Sequence, residues 1–296
     1  MNNIAIFSLL EQSPTIFMVA TFVISLLVGS FLNVVIYRLP VMMENEWQRQ
    51  VDESNALAQG KAYKPSPQSK FNLVKPDSRC PNCEHKIRAW ENIPVISWLA
   101  LGRKCSGCKQ PIPIRYPAIE LLTAVMCTVV AYELGYSVAG LTFIFATWLL
   151  VAMTFIDFDK FLLPDSMTLL LLWLGLAVSC FEQTISPKDA IIGAILGYLS
   201  LYVVFWGFKL FTGKDGMGYG DFKLLAALGA WVGWQQLPVI ILLSSIVGAI
   251  IGITIMLINK KDTNLAIPFG PYLATAGWLT MLYGQQITNW YLSTIV

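Results

Sequence analysis

The segment GMGYGDFKLLAALGAW, at residues 216–231, places one aspartate at the start of an almost wholly apolar run. Asp221 follows Gly218 and Gly220, which make the backbone flexible and leave room for another chain to approach closely. An aspartate at this position can also be an ordinary helix N-cap, whose charge suits the helix dipole. The capping interpretation accounts for Asp221 but not for the glycines. We therefore expect Gly218 and Gly220 to admit a substrate to the carboxylate.

The composition of the chain is that of a membrane protein. Of its 296 residues, 56% are hydrophobic and only 13% are charged, which is about half the charged share of a soluble domain. The formal net charge of +2 gives no reason to expect a nucleic-acid partner. The sequence contains a single histidine, His85. This weakens the case for a serine or cysteine enzyme that uses histidine as its base.

Apolar segments of membrane-spanning length predict an all-α polytopic membrane protein with about eight transmembrane helices. The first segment, residues 14–37, precedes the first basic residue, so it predicts a retained span and not a cleaved signal. Residues 224–258 are too many for one pass of a ~30 Å bilayer core at ~1.5 Å per residue, and residues 235–238 offer a break between two helices. The other predicted spans are residues 116–136, 138–156, 166–181, 190–208 and a last one from about residue 267.

The basic residues support this count and give it an orientation. With the N-terminus outside, 19 of the 20 Lys and Arg residues fall on the cytoplasmic side, and only Lys188 does not. This imbalance is what the positive-inside rule predicts. Treating residues 224–258 as one pass would move Lys260 and Lys261 outside. The polar stretch of residues 38–115, inserted between the first two spans, is then cytoplasmic.

Four of the six cysteines form two C-x-x-C pairs in that polar stretch, Cys80 with Cys83 and Cys105 with Cys108. Each such turn brings two thiolates to one ion, and four thiolates suit tetrahedral zinc. The cytoplasmic side argues against structural disulfides, while a redox pair and an iron site are the alternatives. We expect one structural zinc ion, because four protein ligands leave no open position and a small polar domain gains stability from a metal.

Three further aspartates lie in the string MTFIDFDKFLLPD, at residues 153–165. Asp157 follows the apolar run directly, so we expect it to lie deeper than Asp159, which should face water. Asp165 is expected to cap the next helix. If Asp157 and Asp221 converge from two helices, they would share one proton, because like charges a few ångströms apart cannot both ionise easily. Such a pair can activate water and polarise a peptide carbonyl without histidine, serine or metal.

These motifs together resemble those of the bacterial type IV prepilin leader peptidases, membrane enzymes of the GxGD aspartic-protease group. Residues 218–221, Gly-Tyr-Gly-Asp, are similar to the G-x-G-D motif, and IDFDKFLLPD at residues 156–165 is similar to the motif that carries the first catalytic aspartate. The four cysteines, GSFLNVVIYRLP at residues 29–40 and PIRYPAIELLTA at residues 113–124 are similar to further signatures of the family. The resemblance covers essentially the whole chain.

The resemblance implies a bifunctional enzyme of the bacterial inner membrane with both active sites facing the cytoplasm. It implies cleavage after a glycine in type IV prepilins and type II secretion pseudopilins, with Asp157 and Asp221 as the catalytic residues. It also implies methylation of the new N-terminal residue, with S-adenosylmethionine as the methyl donor. A peptidase without methyltransferase activity, and a transporter whose aspartates relay protons, are the alternatives.

The residues that bind S-adenosylmethionine are less evident, because no G-x-G-x-x-G pattern follows a strand. The resemblance implies a site in the polar stretch and at its junctions with the spans. Glu46 and Glu91 are candidate proton acceptors there, and Asn33 and Arg38 are candidate ligands of the donor or the peptide. A solvated charge at Glu46 and a membrane anchor at Arg38 are the alternatives. The predicted domains are residues 1–37 (first span), 38–115 (zinc-binding and methyltransferase-associated) and 116–296 (seven-helix peptidase).

Overall fold

The computed structural model describes residues 10–60, 71–181, 184–214, 216–259 and 267–295. Within these residues the regular secondary structure is helical, with no β-strand, so the all-α prediction is confirmed. Lys260 and Lys261, on which the predicted topology of the last spans partly depends, lie outside the described residues.

The helices are labelled in chain order. They are α1 (Pro14–Ala58), α2 (Ile96–Ala100), α3 (Arg115–Leu134), α4 (Val138–Lys160), α5 (Asp165–Ser179), α6 (Pro187–Thr212), α7 (Tyr219–Val232), α8 (Leu237–Asn259) and α9 (Gly270–Ile295). Two short 3-10 helices, Ala89–Asn92 and Trp234–Gln236, precede α2 and α8.

Five of the described helices are long and apolar enough to cross a membrane, by length and composition. They are α1, α3, α4, α6, and α8 together with the short helix before it. A multi-pass membrane protein is therefore supported. The three further spans of the eight-span prediction, α5, α7 and α9, stay a prediction. Of these, α5 and α7 have only 15 and 14 residues.

The predicted division of residues 224–258 into two helices is confirmed. Helix α7 ends at Val232, and Gly233 follows with φ of +81°, a left-handed value that favours glycine. Helix α8 then begins at Leu237. Pro238 is its second residue, where the missing N–H removes no intrahelical hydrogen bond.

Helix α1 extends far beyond the first predicted span. It has 45 residues, or about 68 Å at ~1.5 Å per residue, against a bilayer core of ~30 Å. It passes through Pro40 without ending. The predicted domain boundary between residues 37 and 38 therefore lies inside a helix, and the polar stretch begins as a helical extension.

The chain divides into two compact units, Met18–Thr128 and the remainder, Met1–Phe17 with Val129–Val296. The first unit contains most of α1, the cysteine segment, α2 and most of α3. Within it α1 and α3 pack closely, because a Cβ atom at Gly29 would lie only 2.8 Å from the Cα atom of Glu120. This contact packs the first predicted span, residues 14–37, against the second, residues 116–136.

Helix α7 is the central helix of the larger unit. Every residue from Leu224 to Val232 is buried, so this part of the helix is apolar around its whole circumference, as expected for a helix enclosed by others. The indole of Trp231 shows the enclosure. Its Nε1 donates to the carbonyl oxygen of Leu171 on α5 at 2.9 Å, and its ring meets that of Phe143 on α4 edge-on at 5.1 Å.

Glycines allow α6 to pack directly on α7. A Cβ atom at Gly193 would clash with the carbonyl group of Gly229, and one at Gly197 would lie 2.6 Å from the carbonyl oxygen of Leu225. Gly193 and Gly197 have the G-x-x-x-G spacing that lets helix backbones approach closely in membranes. The contact holds α7 in place, and with it Asp221 near the N-terminal end of that helix.

Candidate active site and metal centre

Asp157 lies in the last turn of α4, and only 6% of its surface is exposed. Its carboxyl group accepts a hydrogen bond from the backbone of Gly270, the first residue of α9. Helix α4 ends just after it, where Phe161 adopts a left-handed conformation and donates its N–H to the carbonyl oxygen of Asp157 at 2.9 Å. Asp159 is exposed, so Asp157 is the more deeply placed of the two, as predicted.

Asp221 is the third residue of α7 and is 8% exposed. The N-cap of α7 is Gly218, so the interpretation of Asp221 as an N-cap is wrong. Its carboxyl group instead accepts a hydrogen bond from the backbone of Gly218, as an acidic residue at this position commonly does. The charge of Asp157 also acts on Asp221. The structure thus brings the two predicted catalytic residues together.

This pair has the features that acid–base chemistry on a peptide requires. Both carboxyl groups are buried, they come from different helices, and each interacts with a backbone donor. Two carboxyl groups whose charges act on each other are most stable with one shared proton. One can then accept a proton from water while the other donates a hydrogen bond to a carbonyl oxygen.

Leu163, between α4 and α5, packs against both aspartate-bearing regions. A Cβ atom at Gly220 would lie 2.9 Å from the Cβ of Leu163, and one at Gly270 would lie 3.1 Å from its Cδ1. The space beside Gly220 is thus filled by the chain's own Leu163, which corrects the expectation that this glycine admits substrate. Gly218 remains open, because the nearest atom to a Cβ there is Oδ2 of Asp221, at 3.9 Å.

Asp165 does not cap α5. The N-cap is Pro164, and Asp165, the first residue of the helix, forms an ion pair with Lys223 of α7 at 2.7 Å. The two side chains are 57% and 33% exposed, so the pair is expected to contribute about 0–1 kcal/mol. It joins α5 to α7 two residues beyond Asp221.

The four cysteines of the C-x-x-C pairs form one cluster, as predicted. The Sγ atoms of Cys80 and Cys108 are 3.8 Å apart, those of Cys83 and Cys105 are 3.9 Å apart, and all four lie within 4.8 Å of one another. Zinc–sulfur bonds of ~2.3 Å in a tetrahedron place sulfur atoms about 3.8 Å apart. The spacing of these thiols therefore fits a single zinc ion.

The two cysteine turns have the same backbone geometry. After the first, Glu84 has φ of +55° and donates its N–H to the carbonyl oxygen of Cys80 at 2.9 Å. After the second, Lys109 has φ of +60° and donates to the carbonyl oxygen of Cys105 at 3.0 Å. Two equivalent turns present their thiols to a common point, which is how C-x-x-C pairs surround a metal.

The ionisation of these thiols also suits a cation. A hydrogen bond from the backbone of Gln110, helped by the side chain of Asn82, lowers the pKa of Cys108 to about 6. At Cys83 a hydrogen bond from the backbone of His85 acts in the same direction, but burial and the neighbouring thiols raise the pKa to about 11. The neighbouring thiols thus oppose the ionisation of Cys83 but favour that of Cys80 and Cys108, and a bound Zn²⁺ would stabilise all four residues as thiolates.

Glu91 connects the two cysteine turns. Only 5% of its side chain is exposed; Oε2 accepts the N–H of Arg88 at 2.8 Å and lies 3.2 Å from Nε2 of His85. The Arg88 N–H, together with Ser106 and His85, lowers the pKa of Glu91 to about 2. The carboxylate is therefore already used within the cysteine segment, which favours a structural role over the predicted role as a proton acceptor.

Arg38 and Asn33 also bind the chain's own backbone. Arg38 is 7% exposed and donates to the carbonyl oxygens of Asn72 at 2.9 Å and Pro76 at 2.6 Å. Nδ2 of Asn33 donates to the carbonyl oxygen of Tyr116 at 3.2 Å. Arg38 thus attaches the segment before the first cysteine turn to α1, and Asn33 joins α1 to the start of α3.

Glu46 lines an open groove of about 570 Å³ along α1. The residues that line the groove with it are Leu39, Met42, Met43, Asn45, Trp47, Arg49, Gln50 and Phe71. Nε of Arg49 donates to Oε2 of Glu46 at 3.0 Å. Of the four predicted cofactor residues, only Glu46 lines this groove. Its volume lies within the range of small-molecule sites, although the groove is open to solvent.

Comparison with known families covers both units. The Bacterial Peptidase A24 N-terminal domain matches residues 23–134, and the Type IV leader peptidase family matches residues 143–253. Proteins described as "Prepilin leader peptidase/N-methyltransferase" are 52% identical in Aeromonas salmonicida and 53% identical in Pseudomonas aeruginosa, over 96% of this chain and of theirs. The chain belongs to the type IV leader peptidase family.

A relative from Legionella pneumophila with the same description is 44% identical over 90% of this chain and 92% of its own. No solved structure matches the chain. Both aspartates lie in the part of the chain matched by the Type IV leader peptidase family, and the cysteine cluster and the groove lie in the part matched by the N-terminal domain.

Sequence reasoning missed Leu163, Gly270 and Ser106. The first two lie in the strings FLLPD and PFGPY, each of which adjoins a helix start. A glycine followed by proline at the head of an apolar helix indicates that the backbone there is closely approached. Nothing in the sequence near that glycine indicates Asp157 as its partner, because more than a hundred residues separate them.

Proposed function

We infer that this chain is a bifunctional enzyme, which removes the leader from type IV prepilins and then methylates the new N-terminal residue. Membership of the family and the description shared by relatives about 50% identical over nearly the whole chain support both activities. The observation that carries the peptidase activity is the convergence of the buried Asp157 and Asp221 from α4 and α7.

In the cleavage step one aspartate accepts a proton from water as the water oxygen attacks the scissile carbonyl carbon. The other donates its proton to the carbonyl oxygen, which gives a neutral tetrahedral intermediate. When the C–N bond breaks, the departing amine takes a proton from the first aspartate, and one hydroxyl group of the intermediate returns its proton to the second, which leaves a carboxylic acid. Gly218 leaves the side of Asp221 open for an extended substrate segment.

The substrates of this step are prepilins and pseudopilins, which carry a short basic leader before an apolar helix. That helix lies in the bilayer beside the spans, while the leader stays on the cytoplasmic side of the inner membrane. The predicted orientation, with basic residues inside and eight spans, places both aspartates at that side.

The metal centre has a structural role. One zinc ion would be held by Cys80, Cys83, Cys105 and Cys108. Its positive charge would stabilise the four thiolates, and its bonds would cross-link the segment between α1 and α3. Glu91 supports the two cysteine turns from within.

We place the methyl donor, S-adenosylmethionine, in the groove along α1. Trp47 and Phe71 offer aromatic surface to its adenine, and the carboxylate of Glu46, which is paired with Arg49 in the protein alone, would turn to its sulfonium. The donor supplies an activated methyl group. The protein must hold the new N-terminal amine in its neutral form and in line with that group.

The test is an assay of purified protein in detergent with a prepilin and labelled S-adenosylmethionine. We expect release of the leader and label on the mature N-terminus, and neither product from a prepilin whose glycine before the scissile bond is replaced. Leader removal without label on the product would contradict the methyltransferase activity and support a peptidase only. A protein that shows neither activity but conducts protons would contradict the proposal.

A further inference from the structure

The first turn of α9 contacts the carboxyl group of Asp157. Gly270 is the first residue of this helix, and its backbone hydrogen-bonds the Asp157 carboxyl group. A Cβ atom at Gly270 would lie 2.5 Å from Oδ2 of that carboxyl group and 3.2 Å from its Cγ. Any side chain here would therefore collide with the group that the reaction uses.

The local sequence explains why Gly270 provides the donor. The first N–H groups of a helix have no intrahelical acceptor. Pro271 has no N–H, and the N–H of Tyr272 bonds back to the carbonyl oxygen of Phe269 at 3.1 Å. Among the first three residues of α9, the Gly270 N–H is thus the donor that is directed to the carboxyl group.

Leu163 links this turn to the second aspartate. Its Cδ1 lies against Gly270, while its Cβ lies against Gly220, the residue before Asp221. Leu163 is 8% exposed, so it fills the space between these two glycines. Movement of α9 would therefore be transmitted to both aspartates.

We propose that Gly270 is a positioning residue of the peptidase site, which sets the orientation of the Asp157 carboxyl group through its backbone N–H and its lack of a side chain. The proposal rests on the function inferred above and extends the site from two helices to three. A carboxyl group displaced by about 1 Å would be misaligned with the scissile peptide bond, and such a displacement costs about 100-fold in rate.

Gly270→Ala is the test variant and Gly207→Ala is its matched control, because a Cβ atom at Gly207 of α6 meets nothing within 4 Å. We expect Gly270→Ala to lower kcat for leader removal by about 100-fold with little change in KM. Gly207→Ala should retain wild-type cleavage. Cleavage by Gly270→Ala at the rate of the control would overturn the proposal.

A second measurement keeps the test decisive if Gly270→Ala unfolds. Asp157→Ala removes the oxygen with which the new methyl group collides, so Gly270→Ala should lower the thermal midpoint much less in that background than in the wild type. An equal loss in both backgrounds would mean that Gly270 acts elsewhere, which would also overturn the proposal. These results are distinct from a failure of the proposed peptidase function. Leader removal by Asp157→Asn would contradict the catalytic pair of Asp157 and Asp221, whereas wild-type cleavage by Gly270→Ala would contradict only the role of Gly270.

Discussion

Asp157 and Asp221 are buried side chains on different helices, and the charge of the first acts directly on the second. Their meeting depends on the position of α7, which α4, α5, α6 and α9 surround. It also depends on Leu163, which fills the space beside Gly220 and Gly270. The catalytic pair is thus held by the packing of the larger unit, and substitutions that loosen this packing should impair cleavage.

Replacement of Gly193 tests this dependence. In Gly193→Ala the added methyl group meets the backbone of Gly229, which cannot move as a side chain would. We expect an overpacking cost of about 1–3 kcal/mol and slower leader removal, measured by thermal unfolding in detergent and by the cleavage assay. Gly207→Ala, on the same helix but facing open space, should change neither. Equal behaviour of the two variants would show that α6 and α7 do not need this contact.

The cysteine cluster predicts the metal content of the purified protein. Elemental analysis should find one zinc ion per chain, and Cys80→Ser or Cys105→Ser should lose it, because three thiolates bind zinc more weakly than four. Cys180→Ser is the control, since this exposed cysteine lies outside the cluster. Wild-type protein purified without zinc, or with iron in its place, would contradict the zinc assignment.

A substitution in the groove along α1 should impair methyl transfer without affecting leader removal. Glu46→Gln removes the charge proposed to face the sulfonium, and we expect methyl transfer to fall by about 10- to 100-fold, the value of a hydrogen bond or ion pair to a charged group of about 1.5–3 kcal/mol. Leader removal should be unchanged. The measurement is label transfer to an already cleaved substrate, followed with S-adenosylmethionine binding.

Gln48→Ala serves as the control for the groove. Gln48 is exposed on the same helix and bonds Asp52, but it does not line the groove. If Glu46→Gln methylates as well as this control, the donor binds elsewhere.

The sequence predicts the elements of this protein better than their contacts. Hydropathy identified the long helices and the break before α8, and spacing identified the cysteine cluster, because both signals are local. The partners of Arg38, Asn33 and Glu91 could not be predicted, since each depends on how distant backbone segments pack. Gly220 illustrates the same limit. The sequence indicates that it leaves space, but only the fold shows that Leu163 fills it.

The ends of helices were also difficult to predict. Asp165 and Asp221 are of a residue type that is common at N-caps, yet each lies inside its helix. The carboxylate of Asp165 binds Lys223, and that of Asp221 binds the backbone of Gly218. Tertiary partners, which the local sequence does not contain, decided both outcomes.

The most direct test of the account is leader removal by Asp157→Asn and Asp221→Asn, with Asp159→Asn as the control. Methyl transfer to a leaderless substrate shows in the same preparations that the protein is folded. We predict that each of the first two variants loses cleavage by at least about 100-fold, the usual contribution of a general acid or base, while methyl transfer persists and Asp159→Asn cleaves well. Leader removal at a wild-type rate by either Asp157→Asn or Asp221→Asn would contradict the catalytic pair.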